Sequence, residues 1–414
     1  MVKIRDFQAL RPREDLADEV ASPPYDVLDS REARQRARGK PYSFLHVVKP
    51  EIDLPEETDP YDGSVYLKGR ENLDRMAADG VLIDDEEPGL YFYRQVMGDH
   101  SQTGLVACAS IEDYENDRIK KHEHTRADKE ADRIRHVETL NANTGPVFLT
   151  YPADREMNRL AEEIASTPPL YDFTADDGIR HTVWKVTGAD RTEKIKGIFA
   201  RLDRLYVADG HHRSASGVRV GQKRREANPT HTGAEEYNFF LAVLFPHDQL
   251  KIMDYNRVVK DLAGLSPEEF LKRIGGGFGV EPSPGNQPFR PAARHEFGMY
   301  LAGKWYQLTA RPGSFPKDDP VKSLDVSILQ ENLLAPILKI GDPRKDKRID
   351  FVGGIRGLGE LARRVDGGEA VAFALYPTSI EQLMAIADAG LIMPPKSTWF
   401  EPKLRSGLLI HRLD

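Results

Sequence analysis

Strand-like and helix-like segments follow one another in irregular order along this chain of 414 residues, and that order constrains the fold most strongly. Short apolar or alternating runs predict strands at residues 43–48, 90–96, 105–111, 147–151, 181–186, 205–208, 239–245, 295–301, 305–308 and 370–375. Helical spacing of apolar residues predicts helices at 65–78, 126–141, 155–165, 214–226, 267–274, 326–334 and 380–389. A doubly wound parallel sheet would require regular alternation, so we predict an α+β fold.

Stretches rich in turn-forming residues indicate where this fold is interrupted. Glycine and proline predict loops or linkers at 275–291 and 311–320, and the polar stretch 221–233 predicts a mobile surface loop. We expect an N-terminal α+β unit at 1–225 and a C-terminal α+β unit at 226–414 that packs on the same cleft. One continuous domain is the alternative.

Charge and composition exclude several classes of protein. Lysine and arginine number 58 against 66 acidic residues, giving a net charge of −8, which argues against general binding of duplex DNA. The single cysteine, Cys108, excludes an internal disulfide and fits a reducing cytosol. No apolar run approaches the roughly 20 residues of a membrane helix. We therefore expect a soluble, cytoplasmic protein with no membrane partner.

The most informative segment is an Asp-Gly-His-His-Arg motif that follows a predicted strand. The strand ends at Asp209, Gly210 permits a tight turn, and a helix then begins. Its first turn carries His211, His212 and Arg213, although basic groups there oppose the helix dipole. A bound phosphate would offset this cost, because helix N-terminal N–H groups and an arginine fork both bind anions.

Structural explanations of this motif remain open. Asp209 is a good N-cap residue, and paired histidines can simply occupy a surface. Zinc binding by His211 and His212 is disfavoured, because adjacent helical residues point in different directions and no cysteine cluster accompanies them.

A second motif, His-Glu-His-Thr, occupies residues 122–125 within a basic stretch. Nearby cations would keep Glu123 ionised and would place anion-binding groups beside it, as a kinase site requires. We therefore predict Glu123 as a catalytic base and count His122 and Thr125 among the phosphate-binding residues. The alternative is a solvated helix start in which Thr125 and Asp128 form a capping pair.

The helix after this motif is predicted to have one apolar and one polar face. The apolar face, expected to point inward, consists of Ala127, Ala131, Ile134 and Val137. The opposite face consists of Lys129, Asp132, Arg133 and His136.

Three further segments supply candidate binding residues. Asn143 lies in a polar turn, where turn chemistry alone also explains it. The proline-bounded stretch 393–403 offers Lys396, Ser397 and Thr398, together with Lys403, for phosphate binding. Packing around a tryptophan is the alternative for that stretch. The Ser-Pro-Pro-Tyr-Asp segment at 22–26 is rigid and either lines a site or covers the core.

Five motifs follow one another along the chain and together carry a resemblance. They are Ser-Pro-Pro-Tyr-Asp at 22–26, His-Glu-His-Thr at 122–125, Asn-x-Gly-Pro-Val at 143–147, Ala-Asp-Gly-His-His-Arg at 208–213 and Met-Pro-Pro-Lys-Ser-Thr at 393–398. In this order they resemble domain-of-unknown-function family 1015 (DUF1015), whose members are bacterial and archaeal proteins of similar size. Walker-loop, dinucleotide-fingerprint and Gly-x-Ser-x-Gly patterns are not found in the required context.

The Asp-Gly-His-His-Arg motif also resembles the ParB/sulfiredoxin-like fold and, within it, the free serine kinases. That resemblance implies an elaborated mixed-sheet core and transfer of phosphate from ATP or ADP to the hydroxyl of serine or a similar compound. It implies Glu123 and Asp209 as catalytic residues and His211, His212 and Arg213 as phosphate contacts. Magnesium is implied as the cofactor, with Asp209 as its possible ligand. Sulfiredoxin chemistry requires a cysteine where this chain has His211.

Two other functions remain open at this point. One is a ParB-like nucleotide-binding regulatory or DNA-associated protein, against which the net charge counts. The other is a phosphate-ester hydrolase that uses the same anion site. The expected partners are a nucleotide and a small-molecule substrate, and the sequence predicts no oligomeric state.

Overall fold

The computed structural model describes all residues from Met1 to Asp414. Internal contacts divide the chain into two compact units, one comprising Met1–Leu250 with Pro402–Asp414 and the other comprising Lys251–Glu401. The division at about residue 225 stays a prediction, and residue 225 itself lies inside the helix His211–Ala227. No helix combines the length and the apolar character that are needed to cross a bilayer.

Strands and helices are numbered separately in chain order. The strands are β1 (Ile4–Arg5), β2 (Ala9–Pro12), β3 (Leu82–Asp84), β4 (Tyr91–Met97), β5 (His100–Ser110), β6 (Ile119–Lys120), β7 (Ala142–Asn143), β8 (Val147–Tyr151), β9 (Tyr171–Thr174), β10 (Arg180–Lys185), β11 (Leu205–Asp209), β12 (Phe239–Pro246), β13 (Lys251–Met253), β14 (Tyr255–Val259), β15 (Phe278–Pro282), β16 (Glu296–Leu301), β17 (Lys304–Ala310), β18 (Ile349–Gly353), β19 (Val371–Leu375), β20 (Trp399–Glu401) and β21 (Ile410–Arg412).

The helices are α1 (Ala17–Val20), α2 (Ser30–Ala37), α3 (Leu45–Val48), α4 (Gly63–Ala78), α5 (Ile111–Glu115), α6 (Ala127–Leu140), α7 (Arg155–Ala165), α8 (Ala189–Ala200), α9 (His211–Ala227), α10 (Pro267–Ile274), α11 (Asp325–Leu329), α12 (Gly357–Asp366) and α13 (Ile380–Asp388). A π-helical turn, Gln330–Leu334, continues α11. Short 3-10 helices lie at Glu14–Leu16, Tyr25–Val27, Pro50–Asp53, Glu236–Asn238, His247–Gln249, Pro284–Asn286 and Gly354–Arg356.

A nine-stranded mixed sheet organises the first unit. Its order is β6-β11-β8-β12-β5-β4-β10-β9, and β1 pairs with β5 off this path. The β6–β11 and β8–β12 pairs are parallel, whereas the other pairs are antiparallel. A smaller sheet, β3-β2-β21-β7, belongs to the same unit. This mixture of parallel and antiparallel pairing, with helices in irregular order, confirms the predicted α+β class.

Burial explains why the central strands form. Every residue of β12 is buried, so the strand reads as a continuous apolar run rather than an alternating one. Its partner β5 carries Cys108, which is fully buried and whose pKa burial raises well above its usual value. Helices α7 and α8 pack apolar side chains into one hydrophobic core with apolar residues of β5 and β12. The sheet thereby holds β11 and the start of α9 in a fixed position.

The second unit is built on a six-stranded antiparallel sheet. Its strand order is β15-β17-β16-β19-β14-β18, and β13 pairs with β20 in a separate two-stranded sheet. The stretch 275–291 was predicted as a loop or linker but contains β15, which pairs with β17.

Two other local predictions are wrong for physical reasons. Residues 43–48 were predicted as a strand, but α3 (Leu45–Val48) forms there. A short buried apolar run has no periodicity that separates a strand from a helix. The predicted loop at 221–233 is largely helical, because α9 continues to Ala227 and buries Gly221. A Cβ atom at Gly221 would lie 2.4 Å from the Tyr237 carbonyl oxygen, so this helix face packs closely.

Candidate functional site

A tight turn between β11 and α9 carries the Asp-Gly-His-His-Arg motif. Gly210 has a φ of +89°, in the left-handed region, and a Cβ atom built there would lie 3.0 Å from Nε of Arg213. Both features favour glycine, because any other residue would strain the backbone and crowd the guanidinium group. The predicted strand, turn and helix are therefore present, and α9 begins at His211.

We expect Gly210→Ala to destabilise the protein more than Gly178→Ala does. Both glycines have positive φ, but a Cβ atom at Gly178 would meet nothing within 4 Å. Backbone strain alone costs about 1–2 kcal/mol, and crowding of Arg213 adds to this cost only at Gly210. Urea unfolding of the two variants measures the difference, and equal losses in free energy of unfolding would contradict the close contact with Arg213.

Asp209 binds the Gly210 N–H and Lys403 at this turn and does not cap α9. Gly210 is the N-cap residue, and no side chain caps α9. Asp209 Oδ1 accepts a hydrogen bond from the Gly210 N–H at 2.8 Å, and Oδ2 lies 2.9 Å from Nζ of Lys403. Burial alone would raise the pKa of Asp209, but the charges of Lys403 and Arg213 outweigh burial and hold that pKa well below its usual range. The carboxylate therefore stays ionised beside two cations.

The His-Glu-His-Thr motif lies beside the turn that carries the Asp-Gly-His-His-Arg motif. Glu123 and Asp209 are 86 positions apart, and the intervening chain includes α6, α7 and α8. Nevertheless, the potential ligand atoms of His122, Glu123 and His211 all lie within 4.8 Å of one another. The rings of His122 and His211 meet edge to face, with centroids 4.4 Å apart. His211 Nδ1 lies 4.0 Å from Glu123 Oε2.

The two histidines of this cluster are buried and neutral. Burial lowers the pKa of His122 to about 4, although Asp209 and the Val207 carbonyl act in the opposite direction. Burial also lowers the pKa of His211 well below its usual value, and His122 adds to this effect. Neither ring nitrogen of His122, nor Nε2 of His211, has a hydrogen-bond partner in the protein. His211 therefore does not supply the positive charge that was predicted for it in the first turn of α9.

Arg213 is the buried cation of the site. Its side chain is only 10% exposed, its Nη1 donates to the Pro146 carbonyl, and its Nη2 lies 3.7 Å from Asp26 Oδ2. Its Nε has no hydrogen-bond partner. Burial alone would lower the pKa of Arg213, but the negative charges of Asp26 and Asp209 raise it overall. A permanently charged and incompletely paired guanidinium group is well suited to binding an anion.

A small cleft with a cavity volume of about 30 Å³ lies against Arg213. It brings together parts of three of the sequence motifs with residues near the C-terminus, and its polar lining includes Tyr25, Arg133, Thr144, Arg213 and Ser406. Arg133 stacks over the Tyr25 ring at 4.0 Å from the ring centroid. Burial raises the pKa of Tyr25 well above its usual value, so its hydroxyl stays protonated at neutral pH. The cleft therefore presents hydroxyl and guanidinium donors to a group about as large as one or two water molecules.

Other residues predicted near this turn have structural partners. Thr125 does not form the predicted capping pair with Asp128, because Arg126 occupies the N-cap position of α6 and the Thr125 hydroxyl donates to Glu130 at 2.6 Å. His212 Nε2 accepts a hydrogen bond from the Arg126 N–H at 3.1 Å, which ties the two motifs together. Their phosphate-binding roles stay predictions.

The predicted apolar face of α6 is confirmed at Ile134 and Val137, which pack in one core cluster, but the assignment is wrong at four other positions. Ala127 and Ala131 are exposed, whereas Asp132 and His136 are buried. Asp132 accepts a hydrogen bond from the Tyr66 hydroxyl at 2.9 Å, and His136 Nε2 lies 3.0 Å from the Val47 carbonyl oxygen. Polar partners from distant parts of the chain thus allow the polar face to turn inward.

Asn143 also lines the cleft, but its side-chain oxygen already contacts other parts of the fold. It accepts hydrogen bonds from the Leu241 N–H at 3.2 Å and lies 3.1 Å from His411 Nδ1. These contacts join β7, β12 and β21, so the amide oxygen is occupied by the fold. Ligand binding by Asn143 stays a prediction.

Lys396, Ser397 and Thr398 belong to the second unit. Lys396 has a φ of 59° and places Nζ 5.6 Å from the centre of the Tyr255 ring. The Ser397 hydroxyl donates to the Pro394 carbonyl at 2.6 Å. The phosphate-binding role of these three residues stays a prediction, whereas Lys403, from the same motif region, lies in the first unit beside Asp209.

Magnesium does not fit the predicted ligand Asp209 as the side chain is placed here. Both carboxylate oxygens have partners, and one of them is an ammonium group whose charge opposes a nearby cation. Magnesium also prefers several oxygen ligands, whereas Asp209 shares this site with a lysine, an arginine and two imidazoles.

Sequence patterns missed Arg133 and Ser406 as cleft residues. Arg133 was placed on a solvent face by helical spacing, and Ser406 lies in no pattern that indicates a site. The only sequence signal for Arg133 as a cleft residue is its position on the same helical face as Asp132 and His136. That signal becomes informative only once this face is known to be buried.

The fold and this turn define an α+β protein with a polar site at a strand–helix junction. The chain belongs to the family described as "Protein of unknown function (DUF1015)", whose family model matches residues 4–327. This confirms the resemblance that the motifs carried. The motif at 393–398 and Lys403 lie beyond the matched residues.

Solved structures with some likeness to the chain are remote. A free serine kinase variant in complex with AMP has a TM-score of 0.37 and 14% identity, covering 74% of this chain and 92% of that chain. A C-terminally truncated SbnI from Staphylococcus aureus has a TM-score of 0.39 and 12% identity, covering 74% of this chain and 87% of that chain. A conserved hypothetical protein from Pyrococcus furiosus has a TM-score of 0.36 and 14% identity, covering 74% of this chain and 94% of that chain. No curated protein matches the sequence. Likeness at this level assigns no function to the chain.

Proposed function

We propose that the protein transfers a phosphoryl group from a nucleotide to the hydroxyl of a small molecule. The observation that carries this proposal is Arg213, a buried and incompletely paired guanidinium group that lines a cleft. It lies two residues from His211, which in turn contacts the half-exposed carboxylate of Glu123. An anion-binding group and a candidate base are thus held at one turn.

Positive charge at the turn supports binding of phosphate. Arg213 offers its guanidinium group, and Lys403 holds an ammonium group 2.9 Å from Asp209. The N-terminus of the 17-residue helix α9 points its N–H groups toward the same turn. We propose that Asp209 acts as a positioning residue here, because its two oxygens hold the Gly210 N–H and Lys403 in place.

The reaction proposed for Glu123 is a direct displacement at phosphorus. The acceptor oxygen forms a bond to the terminal phosphorus of the nucleotide, and the bond from that phosphorus to the bridging oxygen breaks. The proton of the acceptor hydroxyl passes to the Glu123 carboxylate. Cationic groups around the phosphate stabilise charge on its oxygens during this step.

The donor and acceptor are proposed from the motifs. The resemblance of the two motifs to those of free serine kinases supports ATP or ADP as donor and serine or a similar hydroxyl compound as acceptor. The cytoplasm, where such nucleotides are abundant, is the proposed location. We propose no role in binding duplex DNA, because the net charge is −8 and the cations Arg133 and Arg213 line a small cleft.

Thermal unfolding with added nucleotides tests this proposal. ATP, ADP and AMP should be compared as ligands, alone and with serine. A ligand at 100 times its Kd stabilises the folded state by about 2.7 kcal/mol, so at least one nucleotide should give a saturable rise in Tm. Absence of a rise with every nucleotide would contradict the proposal, whereas a rise without phosphate transfer to any acceptor would favour a hydrolase or a regulatory protein.

A further inference from the structure

We propose that His122, Glu123 and His211 together bind one divalent transition-metal ion of the zinc type. The inference does not rest on phosphoryl transfer, because it concerns only what these three side chains can hold. The sequence disfavoured zinc on the adjacent residues His211 and His212. The structure instead pairs His211 with His122, which comes from the other motif.

Unpartnered nitrogen atoms are the first observation behind this site. His122 is 2% exposed and His211 is 6% exposed. Both ring nitrogens of His122 and Nε2 of His211 lack a hydrogen-bond partner. Buried polar atoms of this kind are costly, because native proteins normally satisfy them with protein, water or an ion. An ion bound between the rings would satisfy one nitrogen of each histidine.

The distances provide the second observation. All the potential ligand atoms of the three residues lie within 4.8 Å of one another, and His211 Nδ1 is 4.0 Å from Glu123 Oε2. Two ligands of a tetrahedral zinc ion, with bonds of about 2.0–2.1 Å, lie about 3.4 Å apart. Small side-chain rotations of a half-exposed glutamate would therefore complete the geometry.

The donor set selects the class of metal. Two imidazoles and one carboxylate suit zinc and neighbouring first-row ions, whereas magnesium and calcium prefer oxygen ligands. Three protein ligands leave at least one position open for water or a bound molecule, as in catalytic rather than structural zinc sites.

This site is compatible with the function proposed above. A carboxylate has two oxygens, so Glu123 can bind a metal through one oxygen and accept a proton on the other. Lys403 and Asp209 form a separate ion pair beside it and need not move. The only cysteine, Cys108, lies within β5 and is not part of the cluster.

Metal binding by the full chain tests the inference without any measurement of turnover. The protein should be stripped with a chelator and dialysed against zinc alone, with excess magnesium present to suppress weak sites. Bound zinc is then counted by mass spectrometry, and its Kd is measured by competition with a chromogenic chelator. We expect one zinc ion per chain. We also expect His122→Gln and His211→Gln to weaken binding more than about tenfold, since even loss of an outer partner costs roughly 10- to 100-fold.

His124→Gln is the matched control, because His124 is exposed and belongs to the same motif. It should leave the zinc Kd unchanged. If a buried variant fails to fold, Glu123→Gln replaces it, because Glu123 is half exposed. Cobalt in place of zinc should then give visible bands without a thiolate charge-transfer band. Binding of less than one zinc per chain, or an unchanged Kd in any folded ligand variant, would overturn the site.

Discussion

Glu123→Gln is expected to lower the rate of phosphoryl transfer by about 100- to 10,000-fold, the usual range for loss of a general base. The glutamine keeps the size of the side chain but cannot accept the proton of the hydroxyl. Nucleotide affinity should change little, because the proposed phosphate contacts are Arg213 and Lys403. Single-turnover kinetics with the nucleotide that raises Tm would separate the chemical step from binding.

A matched control distinguishes this effect from a general change in charge. Glu138 on α6 is 37% exposed, close to the 36% of Glu123, and it pairs with the surface residue Lys223. Glu138→Gln should therefore leave the rate unchanged. Both variants should unfold within about 1 kcal/mol of the native chain, because exposed ion pairs contribute little. Full turnover by Glu123→Gln would remove Glu123 from the mechanism.

Substitution of Arg213 is expected to have the largest effect on both stability and binding. Arg213→Met leaves Asp26 and Asp209 without the buried cation between them. Asp26 is 37% exposed and Asp209 keeps its contact with Lys403, so the cost is that of lost hydrogen bonds to a buried charged group. The free energy of unfolding should fall by about 1–3 kcal/mol. The rise in Tm with nucleotide should disappear.

Arg213→Lys separates stability from recognition. Lysine retains the charge but loses the planar fork, so most of the stability should remain while nucleotide Kd rises about tenfold or more. Arg219→Met is the control on the same helix, because Arg219 is 61% exposed. That change should alter the free energy of unfolding by less than about 0.5 kcal/mol. Unchanged nucleotide binding by Arg213→Lys and Arg213→Met together would contradict the anion site.

Local chemistry in the sequence was sufficient to predict the turn at the centre of the site. Gly210, between an apolar strand and a helix, predicts a tight strand–helix junction, and the left-handed φ explains why glycine stands there. Ser266 and Glu269 form a capping box at the start of α10. Helix α10 was predicted with its observed bounds, whereas α2, which also begins with a capping box, was not predicted.

Interactions between distant parts of the chain could not be predicted in this way. Lys403 forms an ion pair with Asp209, which lies 194 positions earlier in the chain. The Tyr66 hydroxyl donates a hydrogen bond to Asp132, which lies 66 positions later. No spacing rule encodes such pairs, so the buried residues Asp132 and His136 of α6 were assigned to the polar face. The neutral state of His122 and His211 depends on burial, which likewise follows only from the packed structure.

The fate of the terminal phosphate tests the central claim most directly. The protein should be incubated with a nucleotide carrying a labelled terminal phosphate and with a panel of small hydroxyl compounds that includes serine. We expect label in an acceptor, dependent on the protein and lost in Glu123→Gln. Label that appears only as inorganic phosphate, or remains on the nucleotide with every acceptor, would contradict it.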